Sequence, residues 1–78
     1  MNLEKKLKQE TKLWLKKIKE KVKDLRPGDE QTRHFYRNVN AYINDSHYFL
    51  KEGKLVEAFE AVIWAWAWYE IGRELEIF

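Results

Sequence analysis

Two helix-breaking sites constrain the fold of this chain most strongly, because they divide it into three stretches of similar length. The first is Arg26-Pro27-Gly28-Asp29. Proline disfavours helical backbone in the residue before it, and glycine permits a reversal of the chain. The second is Gly53, which is placed to end a helix in the left-handed conformation. No proline falls inside a stretch and strict polar–apolar alternation is missing, so the stretches are predicted to be helices.

We therefore predict an all-α fold, a three-helix up-down-up bundle built on a helix–Gly–helix hairpin. The expected helices span about 2–25, 29–52 and 55–75, within one domain covering residues 1–78. A content of 45% hydrophobic and 36% charged residues is typical of a folded domain. Cysteine is absent, which excludes disulfides, thiolate metal sites and cysteine nucleophiles.

The first two stretches each carry one apolar face at helical spacing. On the first stretch this face consists of Leu3, Leu7, Trp14, Ile18, Val22 and Leu25, while Leu13 and Leu15 lie off it. On the second stretch it consists of Phe35, Tyr36, Val39, Tyr42, Ile43, Ser46, Phe49 and Leu50. Asp29 is the expected N-cap of the second helix.

The third stretch differs, because it carries two apolar bands separated by small residues. The first band is Phe59, Val62, Trp66 and Tyr69, and the second is Trp64, Trp68, Ile71 and Leu75. The row between them, Ala58, Ala61, Ala65 and Gly72, would allow another helix to approach closely.

The second band is the candidate interaction surface. If the first helix covers it with Leu3, Leu7, Trp14 and Ile18, the monomer is complete. Otherwise Trp64, Trp68, Ile71 and Leu75 form an exposed apolar patch, which is typical of an interface. Our leading hypothesis is a non-enzymatic module that forms a homodimer or docks to a protein partner.

Charge is distributed unevenly and gives the alternative hypothesis. Residues 1–26 carry ten Lys and Arg against four Asp and Glu, whereas residues 27–78 carry five against nine. The alternative is a weak nucleic-acid-binding protein using Lys5, Lys12, Lys16, Lys19 and Lys23. Acidic residues are interleaved with these lysines, so a solvated basic face is favoured over nucleic-acid binding.

No coherent catalytic or metal-binding set is present in the sequence. Glu30 and His34 are spaced for a shared metal, but one histidine and one carboxylate make an incomplete site. We expect no catalytic residue, no metal ligand, no cofactor and no inferable small-molecule ligand, hence no enzyme. The longest apolar run, residues 61–69, is too short for the roughly 20 residues of a membrane span. A cytoplasmic location is therefore expected.

Residues 41–54 and 58–73 together resemble the archaeal family called domain of unknown function 357. The family pattern has a Tyr-x-x-Asp-Ala-x-x-Phe helix, a glycine turn, and an alanine-rich helix ending in Gly-Trp-Leu-Asp-Ala-Gly. The matching positions are Tyr42, Asp45, Phe49, Gly53, Trp68 and Gly72, and the departures are Ser46, Ala67, Tyr69, Glu70 and Ile71. The resemblance implies a small helical protein from an archaeon with no assigned activity.

Overall fold

The architecture, taken from a computed structural model that describes residues 2–78, is an up-down-up arrangement of three helices. The helices are α1 (Leu3–Val22), α2 (Glu30–Lys51) and α3 (Leu55–Glu74). No strand occurs in this described part of the chain. The all-α, three-helix prediction is therefore confirmed.

Local interactions of the backbone fix the ends of these helices. The Asp29 side chain accepts a hydrogen bond from the backbone N–H of Thr32 at 2.7 Å, which makes Asp29 the N-cap expected for α2. At the other end, Gly53 has a φ of 75°. The N–H of the following residue, Lys54, donates to the carbonyl of Phe49 at 2.8 Å. This glycine-dependent cap ends α2 and turns the chain into α3.

Helix α3 lies at the centre of the packing, because it contacts both other helices extensively while α1 and α2 touch each other little. The buried core is formed by Leu15, Ile18, Val22, Val39, Ile43, Val62, Ala65 and Tyr69. All four residues of the small-residue row are buried, namely Ala58, Ala61, Ala65 and Gly72. The buried hydroxyl of Ser46 donates to the carbonyl of Ala58 at 2.7 Å, so α2 and α3 approach closely along the small-residue row.

The packing of α1 differs from the expectation in two places. Leu15, expected off the apolar face, is only 2% exposed, whereas Leu3, expected on it, is exposed. The buried stripe of α1 consists of Thr11, Leu15, Ile18 and Val22, so it is rotated toward Leu15 from the predicted face. Leu3 lies in the first turn, next to the Gly53 turn, where little of the bundle extends to cover it. Helix α1 also ends at Val22 instead of continuing to Leu25.

The segment that follows α3 folds back onto the bundle. The N–H of Ile77 donates to the carbonyl of Gly72 at 2.7 Å, and Glu76 adopts a positive φ of 58° in this cap. The Phe78 ring then stacks on Tyr69, with 5.7 Å between the ring centroids. The hydroxyl of Thr32 also donates to the carbonyl of Ile77 at 3.2 Å, which ties the C-terminal segment to α2.

Candidate interaction surface

Helix α1 covers the first apolar band of α3 and leaves the second band uncovered. Trp14 meets Trp66 edge to face, with 5.6 Å between the ring centroids. The indole N–H of Trp66 also donates to the carbonyl of Trp14 at 3.1 Å. These contacts fix α1 on the side of α3 that faces away from Trp64, so the arrangement that would have completed the monomer does not occur.

Three of the four residues in the second band are largely exposed. The exposed fractions are 56% for Trp64, 51% for Ile71 and 61% for Leu75, and Trp68 is half-buried. These four residues, called the outer α3 surface below, recur at spacings of three, four and seven and therefore follow one face of the helix. The structure thus presents the predicted candidate residues as one apolar face.

Aromatic residues of α2 hold the two tryptophans of this surface in place. The Tyr42 ring stacks on Trp64 with 6.1 Å between centroids and an interplanar angle of 22°. Trp68 meets Phe35 edge to face at 5.0 Å and His34 at 5.9 Å. Because each indole already has neighbours on α2, little side-chain freedom remains to be lost when another molecule covers the surface.

Acidic residues lie on the solvent side of the outer α3 surface. Helical spacing places four exposed glutamates on the outward half of α3, namely Glu57, Glu60, Glu70 and Glu74. Within residues 2–78, none of these carboxylates lies within 4.0 Å of a lysine or arginine side-chain nitrogen. The surface is therefore apolar along its length and negatively charged on its solvent side.

The lysines predicted for the alternative function are all exposed, and the structure divides them into two groups. Lys12, Lys16 and Lys19 line a groove between α1 and α2, whereas Lys5 and Lys23 lie beyond it. His47 reaches the same groove from α2. Burial, followed by the charge of Lys19, lowers the pKa of His47 from its usual value. The sequence could not place His47 beside these lysines, because His47 belongs to α2 and the lysines belong to α1.

The polar pair Glu30 and His34 is not assembled into a metal site. Glu30 forms an ion pair with Arg33 at 3.1 Å, and the His34 ring lies against Trp68. In the described residues, no group of three or more histidine and acidic side chains is close enough to hold a metal. The same part of the chain contains no helix that is both long and apolar enough to cross a membrane.

Two comparisons relate this fold to known proteins. The model of the DUF357 family, described as a protein of unknown function, matches residues 6–78. The fold is also similar to the crystal structure of protein AF1782 from Archaeoglobus fulgidus, which carries the same family model. That similarity has a TM-score of 0.85 and 55% sequence identity, covering 96% of this chain and 93% of the other. No curated protein matches the chain.

Proposed function

This chain belongs to the DUF357 family, and from its surface we propose that it is a non-enzymatic module that forms a homodimer through the outer α3 surface. The observation that carries the proposal is the exposure of Trp64, Ile71 and Leu75 on one helix face. Contiguous large apolar side chains are costly to leave in water and commonly mark an interface.

A second copy suits this surface because two of its residues, Trp64 and Ile71, pair with each other about a two-fold axis. Trp64 and Ile71 lie at equal distances along α3 from the midpoint between Ala67 and Trp68. In an antiparallel pair, Trp64 of one copy therefore faces Ile71 of the other. At the axis, the small Ala67 of one copy faces Trp68 of the other, which leaves room for the indole.

The exposed apolar area limits the affinity with which two copies can associate. Since one tryptophan contributes 150–250 Å² when fully buried, the exposed parts of Trp64, Ile71 and Leu75 amount to about 300 Å². A standard stable interface buries about 800 Å² on each partner. We therefore expect an association in the micromolar range, with monomer and dimer in exchange.

The test is the mass of the protein in solution across a concentration series, measured by analytical ultracentrifugation. The wild type should change from monomer to dimer, and Trp64→Lys should remain monomeric because it places a charge within the contact. Ile63→Lys is the matched control, since Ile63 is 45% exposed but lies about 100° around α3 from Trp64. A wild type that stays monomeric at high micromolar concentration refutes the homodimer. Equal loss of dimer in both variants would place the contact elsewhere.

Salt provides an independent test of the same geometry. In the antiparallel pair, Glu60 of one copy lies near Glu74 of the other, so like charges oppose association. Screening should weaken this repulsion, and the dimer should become tighter between about 50 mM and about 500 mM NaCl. A dimer held by pairing the basic helix α1 with the acidic helix α3 would show the opposite dependence.

A further inference from the structure

The groove between α1 and α2 combines an apolar floor with a basic rim. Leu50 and the small accessible part of Leu15, which is 2% exposed, form the floor, and Lys12, Lys16, Lys19 and His47 surround it. The groove has a volume of about 290 Å³, close to the lower limit of roughly 300 Å³ for small-molecule sites. It exists because α1 packs mainly on α3 and makes few contacts with α2.

The protein offsets the positive charge of this rim only in part. The pKa of Glu20 is lowered mainly by the hydrogen bond with Lys23 and, to a smaller extent, by the charge of Lys16. Glu20 also lines the groove, but its carboxylate is held by Lys23 at 2.9 Å. In residues 2–78, no ion pair within 4.0 Å involves Lys12, Lys16 or Lys19. Three ammonium groups therefore lie around one apolar floor with a single acidic neighbour. An anion placed among them would be attracted by all three.

The environment of the groove also changes the pKa of His47. The charged side chains that line the groove with it are Lys12, Lys16, Lys19 and Glu20 of α1. Partial burial and, secondly, the charge of Lys19 lower the pKa of His47 from its usual 6.5. A neutral imidazole can donate one hydrogen bond to an anion. It also serves as a reporter, because a nearby anion would favour its protonated form.

From this combination we propose that the α1–α2 groove binds an amphiphilic carboxylate, a molecule of the fatty-acid class. The carboxylate group lies among Lys16, Lys19 and His47, and the aliphatic chain covers Leu15 and Leu50. A charged head group alone would leave the apolar floor in water, and an aliphatic chain alone would leave the ammonium groups without a counter-ion. Both parts of the ligand are therefore needed to match the groove.

A nucleic acid fits this site less well. A single strand is usually bound along a basic groove in which aromatic side chains stack on the bases. The side chains lining this groove include no Trp, Tyr or Phe, and their apolar members are leucines. The site is also local, since its three lysines span only two turns of α1. A single-stranded oligonucleotide is therefore included in the test as a competing ligand.

The experiment is an NMR titration of the folded, full-length protein at pH 7 with three separate probes. Octanoate supplies both the head group and the chain, octyl glucoside supplies the chain without charge, and inorganic phosphate supplies charge without a chain. Octanoate and octyl glucoside are both used below their critical micelle concentrations. Octanoate should shift groove resonances and return the pKa of His47 toward 6.5, and it should bind at least about tenfold more tightly than either other probe.

Matched variants locate the binding site. Lys16→Gln combined with Lys19→Gln should weaken octanoate binding about tenfold, because charged hydrogen-bond partners of the carboxylate are removed. Lys6→Gln combined with Lys21→Gln changes the charge of α1 equally but on residues outside the groove, and should leave the affinity unchanged. Circular dichroism confirms that both variants are folded.

The proposal is overturned if phosphate or octyl glucoside binds as tightly as octanoate, because the groove would then recognise charge or apolar surface alone. It also fails if both double variants lose affinity equally. A single-stranded oligonucleotide that displaces octanoate and binds more tightly at about 150 mM salt would replace it with the nucleic-acid alternative.

Discussion

Replacing Gly72 by alanine tests how the C-terminal segment is held against the bundle. A Cβ atom at this position would lie 2.6 and 2.7 Å from two carbons of the Phe78 ring and 3.3 Å from a ring carbon of Phe35. Carbon atoms in favourable contact are about 3.5–4.0 Å apart. The substitution therefore has no room unless the Phe78 ring moves away from α3.

Two opposing effects determine how much Gly72→Ala changes the free energy of unfolding. Alanine in place of glycine stabilises a helix by about 0.5–1 kcal/mol, because glycine has more conformational freedom to lose on folding. Overpacking at a tight contact costs about 1–3 kcal/mol, which here includes the loss of the stacking between Phe78 and Tyr69. The cost exceeds the gain, and we expect Gly72→Ala to lower the free energy of unfolding by about 1 kcal/mol. In a chain of this length that corresponds to about 4–8 °C in Tm.

A double-mutant cycle makes this reasoning refutable. Thermal unfolding followed by circular dichroism gives the effect of Gly72→Ala in the wild type and in a Phe78→Ala background. Without the Phe78 ring the main clash is absent, so the substitution should be neutral or stabilising by up to about 0.5 kcal/mol. If Gly72→Ala destabilises both backgrounds equally, or raises the Tm of the wild type, Phe78 does not pack on Gly72 as described.

Three further predictions concern the contacts that position α2. Ala65→Leu should overpack the α2–α3 contact and cost about 1–3 kcal/mol, measured by urea unfolding, and an unchanged midpoint would contradict the burial of this residue. Ser46→Ala should cost about 0.5–1.5 kcal/mol by the same measurement, because it removes the hydrogen bond to the Ala58 carbonyl. Hydrogen bonds from Thr32 lower the pKa of Asp29, so its stabilising effect is present above about pH 4 and is lost as the pH falls through the lowered pKa. Asp29→Asn keeps an N-cap without that titration, and its Tm should therefore approach that of the wild type between pH 5 and pH 3.

The features that depend on local sequence could be predicted well. The N-cap at Asp29 and the left-handed turn at Gly53 each depend on residues within one turn of the helix, and both occur as expected. The apolar face of α2 is also as predicted, with Val39 and Ile43 at its buried centre. The family resemblance is confirmed by the match over residues 6–78.

The features that depend on contacts between helices could not be predicted. Leu15 is buried because the side of α1 that faces α3 depends on how the two helices pack, and the periodicity of α1 does not specify this. Leu3 is exposed because little of the bundle extends over the first turn of α1. Glycine is required at position 72 because the Phe78 ring packs against it. The chain brings Phe78 back to this position through a turn in which Glu76, a residue other than glycine, has a positive φ. The sequence identified Trp64 as a candidate contact residue. Only the structure shows that Trp14 packs on Trp66 and that Trp64 therefore stays exposed.

The two proposed sites are built from different helices and have neighbours of opposite charge. The outer α3 surface belongs to residues 64–75, whereas the groove is lined by residues of α1 and α2. The outer α3 surface and the groove share no residue, and a dimer formed through α3 leaves both grooves open. Trp64→Lys should therefore abolish dimerisation without changing octanoate binding, and the Lys16 and Lys19 double variant should do the reverse. A change in octanoate affinity on dimerisation would instead show that the position of α1 on α3 is coupled to both sites.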